Sequence, residues 1–187
     1  MQNEVIKAIM ERRSIRAFKP EQISDAEINT ILQAGIFAPS AMNQQNWHFT
    51  VVQNQELLNE INNKAKHYGT GTGNDYIEKL MTNPHLHIFY NAPTVIVVSE
   101  ENDSYAATVN TSAAIENMLL AAHSMGIGSC WIGLSRYAYN SEMKEYFIEK
   151  LGLPENFTPT YSVALGYPKG NSPESKPRRE STINFIR

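Results

Sequence analysis

The run Pro93-Thr94-Val95-Ile96-Val97-Val98-Ser99 constrains the fold more than any other stretch of the chain. Its centre is β-branched throughout, carries no charge and has no polar alternation, so it suits the middle of a sheet and not a wet edge. Trp47-His48-Phe49-Thr50-Val51-Val52 reads as another buried strand. Ser129-Cys130-Trp131-Ile132-Gly133 reads as a short strand running into a loop, and Thr160 to Gly166 as the last core strand. Helical spacing fills the intervals. Val5, Ile6, Ile9 and Met10 mark an amphipathic helix over about residues 3 to 12. Ser24-Asp25-Ala26-Glu27 has the capping-box pattern and precedes the stripe Ile28, Ile31, Leu32 and Ile36. Leu57, Leu58 and Ile61 predict a helix ending near His67. The longest helix, about Tyr105 to Met125, has a broad apolar face of Ala114, Met118, Leu119, Ala121 and Ala122, closed by Gly126-Ile127-Gly128. One more helix spans about residues 141 to 151.

Two stretches resist this reading. Residues 68 to 86, with Gly69, Gly71 and Gly73 set among threonines, read as a mobile lid with two short helical fragments at most. The tail from Tyr167 is polar, carries three of the nine prolines and ends in Ile183-Asn184-Phe185-Ile186, which suits an edge strand. Neither a repeat nor a second domain is recognisable in the 187 residues.

Charge and cysteine usage narrow the function. A net charge of -3 argues against a general nucleic-acid binder. Cys130 is the only cysteine, which excludes an internal disulfide framework and suits a reducing compartment. No apolar run approaches the roughly 20 residues that span a bilayer, so a cytoplasmic location is expected. Against that acidic background, Arg12-Arg13-Ser14-Ile15-Arg16 holds three of the seven arginines in five residues. A planar, permanently charged fork of donors suits a phosphate or an anionic ring. The same cluster would equally serve as a solvated basic helix end, favourable to the dipole. Other candidates are weaker. His85 and His87 lack a third metal ligand, Gly69-Thr70-Gly71-Thr72-Gly73 follows no strand as a dinucleotide loop would, and His123 has no triad partners. Cys130 reads as inert packing.

Four segments occur in order: Arg12-Arg13-Ser14-Ile15-Arg16-Ala17-Phe18, Ala38-Pro39-Ser40-Ala41-Met42-Asn43-Gln44-Gln45-Asn46-Trp47, Gly126-Ile127-Gly128-Ser129-Cys130-Trp131-Ile132-Gly133, and Leu165-Gly166-Tyr167-Pro168 with Lys176-Pro177-Arg178. Together they resemble the FMN-dependent nitroreductase family, from about Val5 to the C-terminus. The resemblance implies an α+β fold with a central, mostly antiparallel sheet flanked by helices. It also implies a homodimer with shared sites, the long helix at its interface and a domain-swapped C-terminal tail from about residue 168. Arg12, Arg13 and Ser14 would then hold the FMN phosphate and ribityl chain, with Lys176 and Arg178 joining from the tail. Arg16 would lie near the pyrimidine edge, where a fixed cation stabilises a reduced ring. Pro39, Ser40, Ala41, Met42, Asn43 and Gln45 would reach the partner's FMN, their amides suiting the mixed donor–acceptor edge of a flavin. Trp131, Ile132, Gly133 and Leu134 would offer backbone groups to the ring, one N–H polarising the hydride-accepting atom.

One departure stands out. The family usually has proline before the tryptophan, and this chain has Asn46, which predicts a looser loop. The implied activity is hydride transfer from NADH or NADPH through FMN to nitroaromatic, quinone or related small acceptors, in a ping-pong pattern with no protein acid or base, and no metal. Flavin reduction or other flavin chemistry of the same family, and a non-enzymatic FMN-binding protein, are the alternatives.

Overall fold

The computed structural model describes residues 3–187. Helix α1 (Glu4–Glu11) is followed by α2 (Asp25–Ile36), whose Ser24 and Glu27 close the predicted capping box. Strand β1 (Trp47–Val52), α3 (Gln55–Gly69) and α4 (Asp75–Met81) come next. Then follow β2 (Thr94–Glu101), α5 (Ala107–Ser124) and β3 (Gly128–Ile132). Two short helices, α6 (Arg136–Tyr139) and α7 (Lys144–Lys150), lead to β4 (Phe157–Gly166). The sheet has the order β1-β2-β4-β3, and every ladder is antiparallel.

The apolar run predicted to be central is central. Along β2, successive side chains point to opposite faces. Val95 and Val97 enter a core with Leu58 and Ile61 of α3 and Phe147 of α7. Ile96 and Val98 enter a second core with Ile31 of α2 and Met118 of α5. Helices therefore cover both faces, which an uninterrupted apolar strand requires. Helix α5 ends in a Schellman motif: Ile127 N–H donates to Ala122 O at 2.9 Å and Gly126 N–H to His123 O at 3.0 Å, with Gly126 at φ +74°.

Three elements differ from the sequence reading. The apolar stripe of α1 forms as a helix but covers no core: Val5 and Met10 are 64% and 63% exposed, and no residue of α1 is buried. Helix α6 is too short for periodicity to reveal, and α7 is correspondingly shorter than the helix expected over about 141 to 151. The tail beyond Gly170 is exposed and joins no ladder of its own chain, so Ile183–Ile186 pairs with nothing among the described residues. No helix among the described residues is long and apolar enough to cross a membrane.

Candidate active site

The arginine segment runs along the outer edge of β3. Ser14 bridges Ser129 in parallel, and Ile15 N–H donates to Ser129 O at 2.9 Å. Ile15 and Phe18 are buried and anchor the segment, leaving the residues between them at the surface. Arg12 caps α1 through its N–H to Ala8 O at 2.9 Å. Its Nε lies 3.6 Å from Glu116 Oε1 of α5. Arg13 Nη1 donates to Met10 O and Arg12 O, both at 2.8 Å, so part of its guanidinium satisfies the helix end. Yet the Nε atoms of Arg12 and Arg13 are both buried without a hydrogen-bond partner among the described residues. Arg12 Nε already faces the Glu116 carboxylate, so the buried donor left unpaired is that of Arg13, which an anion would satisfy.

Arg16 is held by Tyr90. Its Nε donates to the phenol oxygen at 3.2 Å, and its guanidinium carbon lies 5.7 Å from the ring centroid. Burial opposes its charge, but Cys130, Tyr90 and Tyr76 outweigh that and raise its pKa above the ordinary value. Tyr76 belongs to α4, so that helix brings an aromatic side chain toward Arg16. Burial pushes the Cys130 thiol up, against Arg16, Ser14 and Arg12, which agrees with a packing role.

Two glycines let the segment lie so close. A Cβ on Gly128 would sit 3.0 Å from Ile15 Cγ2, and one on Gly166 would sit 2.8 Å from Pro93 Cδ and 3.1 Å from Phe18 Cδ1. The two are register partners across β3 and β4. Sequence reading takes Gly128 as part of the Gly126-Ile127-Gly128 close of the long helix. The usable signal is the pairing of two bare positions at one end of the sheet, and it needs the register.

The Pro39–Gln45 loop is ordered by polar contacts. Met42, Asn43 and Gln45 all have positive φ, at 53°, 55° and 52°, a conformation that costs non-glycine residues energy. Ser40 Oγ accepts from Gln45 N–H at 3.0 Å, and Gln45 Nε2 donates to Asn43 Oδ1 at 3.0 Å. The loop that Asn46 is expected to loosen is instead tied by it. Asn46 is 2% exposed, accepts from Asn110 Nδ2 at 2.7 Å and donates to Ser104 Oγ. Asn110, on α5 and 3% exposed, in turn accepts from Ala41 N–H at 2.9 Å. Side-chain amides thus supply the restraint that a proline ring supplies by covalent geometry. Met42, Asn43 and Gln45 are exposed, and no hydrogen bond joins them to the arginine segment among the described residues.

At the end of β3, Ile132 is buried and Leu134 is half-buried against the same core, while Trp131 packs edge-on to Tyr161 with centroids 5.6 Å apart. Gly133 differs. A Cβ there would meet nothing within 4 Å, and its N–H has no partner among the described residues. The tail begins at the other end of β3, beside the arginine segment. Lys19 N–H donates to Tyr167 O, Lys169 N–H to Ala17 O, and Phe18 bridges Pro168. One cleft of about 280 Å3 is lined by Ser14, Arg16, Lys169 and Asn171. Another of about 140 Å3 is lined by Arg13, His123, Ser129 and Ser172. Lys176 and Arg178 lie farther along, exposed, with no side-chain hydrogen bond or ion pair among the described residues. Within one chain, then, the arginine segment runs alongside β3, with Ser14 beside Ser129 near the start of the strand and Trp131–Leu134 at its far end, whereas the amide loop and the two tail cations stand apart. No group of three or more His, Cys, Asp or Glu among the described residues could hold a metal.

Known proteins share this fold. A nitroreductase of Bacteroides fragilis, whose crystal structure holds bound FMN, superposes with a TM-score of 0.90 at 36% identity, covering 100% of both chains. An FMN-bound nitroreductase of Desulfitobacterium hafniense does so with a TM-score of 0.91 at 34% identity, again over 100% of both. An Archaeoglobus fulgidus protein with the provisional name NADH dehydrogenase/NAD(P)H nitroreductase is 38% identical over 169 residues, 89% of this chain and 86% of its own. The NADPH-flavin oxidoreductase of Vibrio harveyi is 35% identical over 181 residues, 94% of this chain and 70% of its own. The profile described as Nitroreductase family matches residues 9–167, and the chain belongs to that family.

Proposed function

We propose that this protein is an FMN-dependent oxidoreductase that uses NAD(P)H to reduce nitroaromatic, quinone or related small acceptors. The observation that carries the reading is the buried, unpartnered Nε of Arg13, next to Arg12 and on a segment that runs in parallel alongside β3 toward the open position at Gly133. These residues fit a cofactor with a phosphate at one end and a flat polar ring at the other. When bound, FMN supplies a two-electron carrier that takes hydride from NAD(P)H and delivers it to the acceptor in alternating half-reactions.

The chain's own residues bind and orient. Arg12, Arg13 and Ser14 hold the phosphate end, joined by Lys176 and Arg178 from the tail. Arg16, steadied by Tyr90, offers a fixed cation at the ring's pyrimidine edge. Gly133 offers its free N–H. The amide loop Pro39–Gln45 serves the site of a second copy, because no hydrogen bond joins it to the arginine segment of its own chain among the described residues and Met42 to Gln45 are exposed. A homodimer with two shared sites follows from this division. Val5, Phe37, Leu120 and Ala121 line an apolar groove of about 350 Å3 between α1, α2 and α5, and this groove suits the dimer contact. The α4 segment is the lid over the acceptor side.

Purified protein is expected to be yellow and to oxidise NADH or NADPH with menadione or nitrofurazone as acceptor. A colourless protein that gains no flavin absorption on adding FMN overturns the cofactor assignment. A yellow protein that oxidises neither nucleotide overturns the enzymatic one. Reduction of free FMN as acceptor, in the manner named for the Vibrio harveyi relative, would assign flavin itself as the substrate.

A further inference from the structure

A buried chain of hydroxyls leads to Gly133. Tyr139 of α6, Ser162 of β4 and Ser135 are each 0% exposed. The Tyr139 hydroxyl lies 3.1 Å from Ser162 Oγ, which lies 3.1 Å from Ser135 Oγ, which lies 3.2 Å from the Ile132 carbonyl oxygen. A carbonyl only accepts, and each hydroxyl has one proton to give. Ser135 therefore donates to Ile132, Ser162 to Ser135, and Tyr139 to Ser162. The direction of the whole chain is fixed by its last acceptor. Burial pushes the Tyr139 phenol up, against its hydrogen bonds to the serines, so it keeps its proton and heads the chain. In apolar surroundings each such bond strengthens the next by roughly 10–30%.

The end of the chain decides its use. The Ile132 carbonyl and the Gly133 N–H belong to one peptide unit, and in a trans peptide they point in opposite directions. Drawing on the carbonyl fixes the plane of that peptide and makes its N–H a better donor. That N–H is unpaired among the described residues and sits at the end of the sheet's edge strand, on an open face. A plain turn would need only the Ser135 bond, which spans three residues. The additional hydroxyls of Ser162 and Tyr139 come from other elements and serve no turn. Burying them in a core where Ala and Phe would pack is costly unless the network is complete.

We propose that Ser135, Ser162 and Tyr139 are positioning residues, orienting and polarising the Ile132–Gly133 peptide as the donor that meets the flavin ring. This rests on the FMN reading above.

The test uses the full chain labelled with carbonyl 13C in isoleucine and 15N in glycine. Only Ile127–Gly128 and Ile132–Gly133 then give peptide cross-peaks, and the first is a built-in reference. Ser135→Ala is expected to move the Ile132–Gly133 peak and leave the Ile127–Gly128 peak in place. Tyr139→Phe should move the same peak less, in the same direction. Both should raise the dissociation constant for FMN, measured by flavin fluorescence, about three- to tenfold, the range for one lost hydrogen bond. Should Ser135→Ala fail to fold, Ser162→Ala keeps the turn bond and reads the same peak. An Ile132–Gly133 peak that ignores Ser135→Ala, or that responds to it but ignores both Tyr139→Phe and Ser162→Ala, overturns the relay. Wild-type protein that binds no FMN overturns the cofactor reading instead, and the peak shifts report separately.

Discussion

Arg16 is an exposed side chain with a defined position, because Tyr90 holds it by a hydrogen bond and by its ring face. A fixed cation stabilises charge that develops on a bound ring, whereas a freely rotating one pays reorganisation each time. Arg16→Ala is expected to retain FMN, lower the potential of the bound cofactor and slow NAD(P)H oxidation by about tenfold or more. A spectroscopic redox titration beside steady-state rates checks this, and an unchanged potential counts against the assignment. Asn110 acts at the other polar site, bonding Ala41 N–H with one end of its amide and Asn46 with the other. Asn110→Ala leaves Asn46 Oδ1 and Ala41 N–H buried without that partner, at a cost of about 1–3 kcal/mol for an unsatisfied group. It should lower the melting temperature and weaken FMN binding together, while Asn110→Ser, if it retains one bond, should recover part of both. The concentration of permanent charge at Arg12, Arg13 and Arg16 is legible from sequence, but a bound anion and a solvated helix end are written alike there. The role of Asn46 is not legible, since its partner lies 64 positions away and a missing proline reads only as lost stiffness.

At the scale of elements, close approach is what makes the site. The arginine segment lies on β3 and β4 because Gly128 and Gly166 are bare. Gly128→Ala puts a methyl 3.0 Å from Ile15, so the segment must shift by some tenths of an ångström to relieve it. The expected result is a protein that folds, with FMN affinity reduced more than thermal stability; parallel binding titrations and melting curves decide it. The capping box of α2 makes a pH-dependent contribution. Hydrogen bonds from the Ser24 side chain and backbone, and then from Tyr167, hold the Glu27 pKa below its ordinary value of 4.5. A depressed carboxylate stabilises the fold above its unfolded pKa and loses that contribution as pH falls through the folded one. Ser24→Ala should therefore lower the melting temperature near pH 7, by about 1 kcal/mol of cap energy, and the gap to wild type should narrow below about pH 4. A gap that stays constant down to pH 3 would show that Glu27 ionisation is not part of the cap. The strands and long helices were legible because β-branched runs and 3.6-residue stripes report burial directly. Helix α6, of four residues, has no period to read, and Tyr139 in it is buried by packing partners that no local pattern names.

The whole molecule leaves apolar surface where a monomer would cover it. Val5, Ile9, Met10 and Phe37 are 64%, 51%, 63% and 81% exposed. Burying such side chains contributes about 1.5–3 kcal/mol each, so their exposure on one region of α1 and α2 signals a partner. The same periodicity that predicted α1 gave no hint of this exposure, because an apolar stripe that covers no core of its own chain is written like one that does. A second copy also accounts for the outward amide loop, the exposed Lys176 and Arg178, and a polar tail that ends in Ile183-Asn184-Phe185-Ile186 without a ladder partner. These features predict that assembly and cofactor retention are one equilibrium. Ile9→Glu with Phe37→Glu touches no residue assigned to FMN, yet it sets charges in the apolar contact, where an unpaired ion is strongly disfavoured. The double variant is expected to sediment as a monomer, keep its far-ultraviolet circular dichroism and purify with little or no flavin. Truncation after Gly170 should lose FMN as well, through Lys176 and Arg178. A double variant that is monomeric and still carries one FMN per chain would mean that each chain builds its site alone, and the shared-site reading would have to be abandoned.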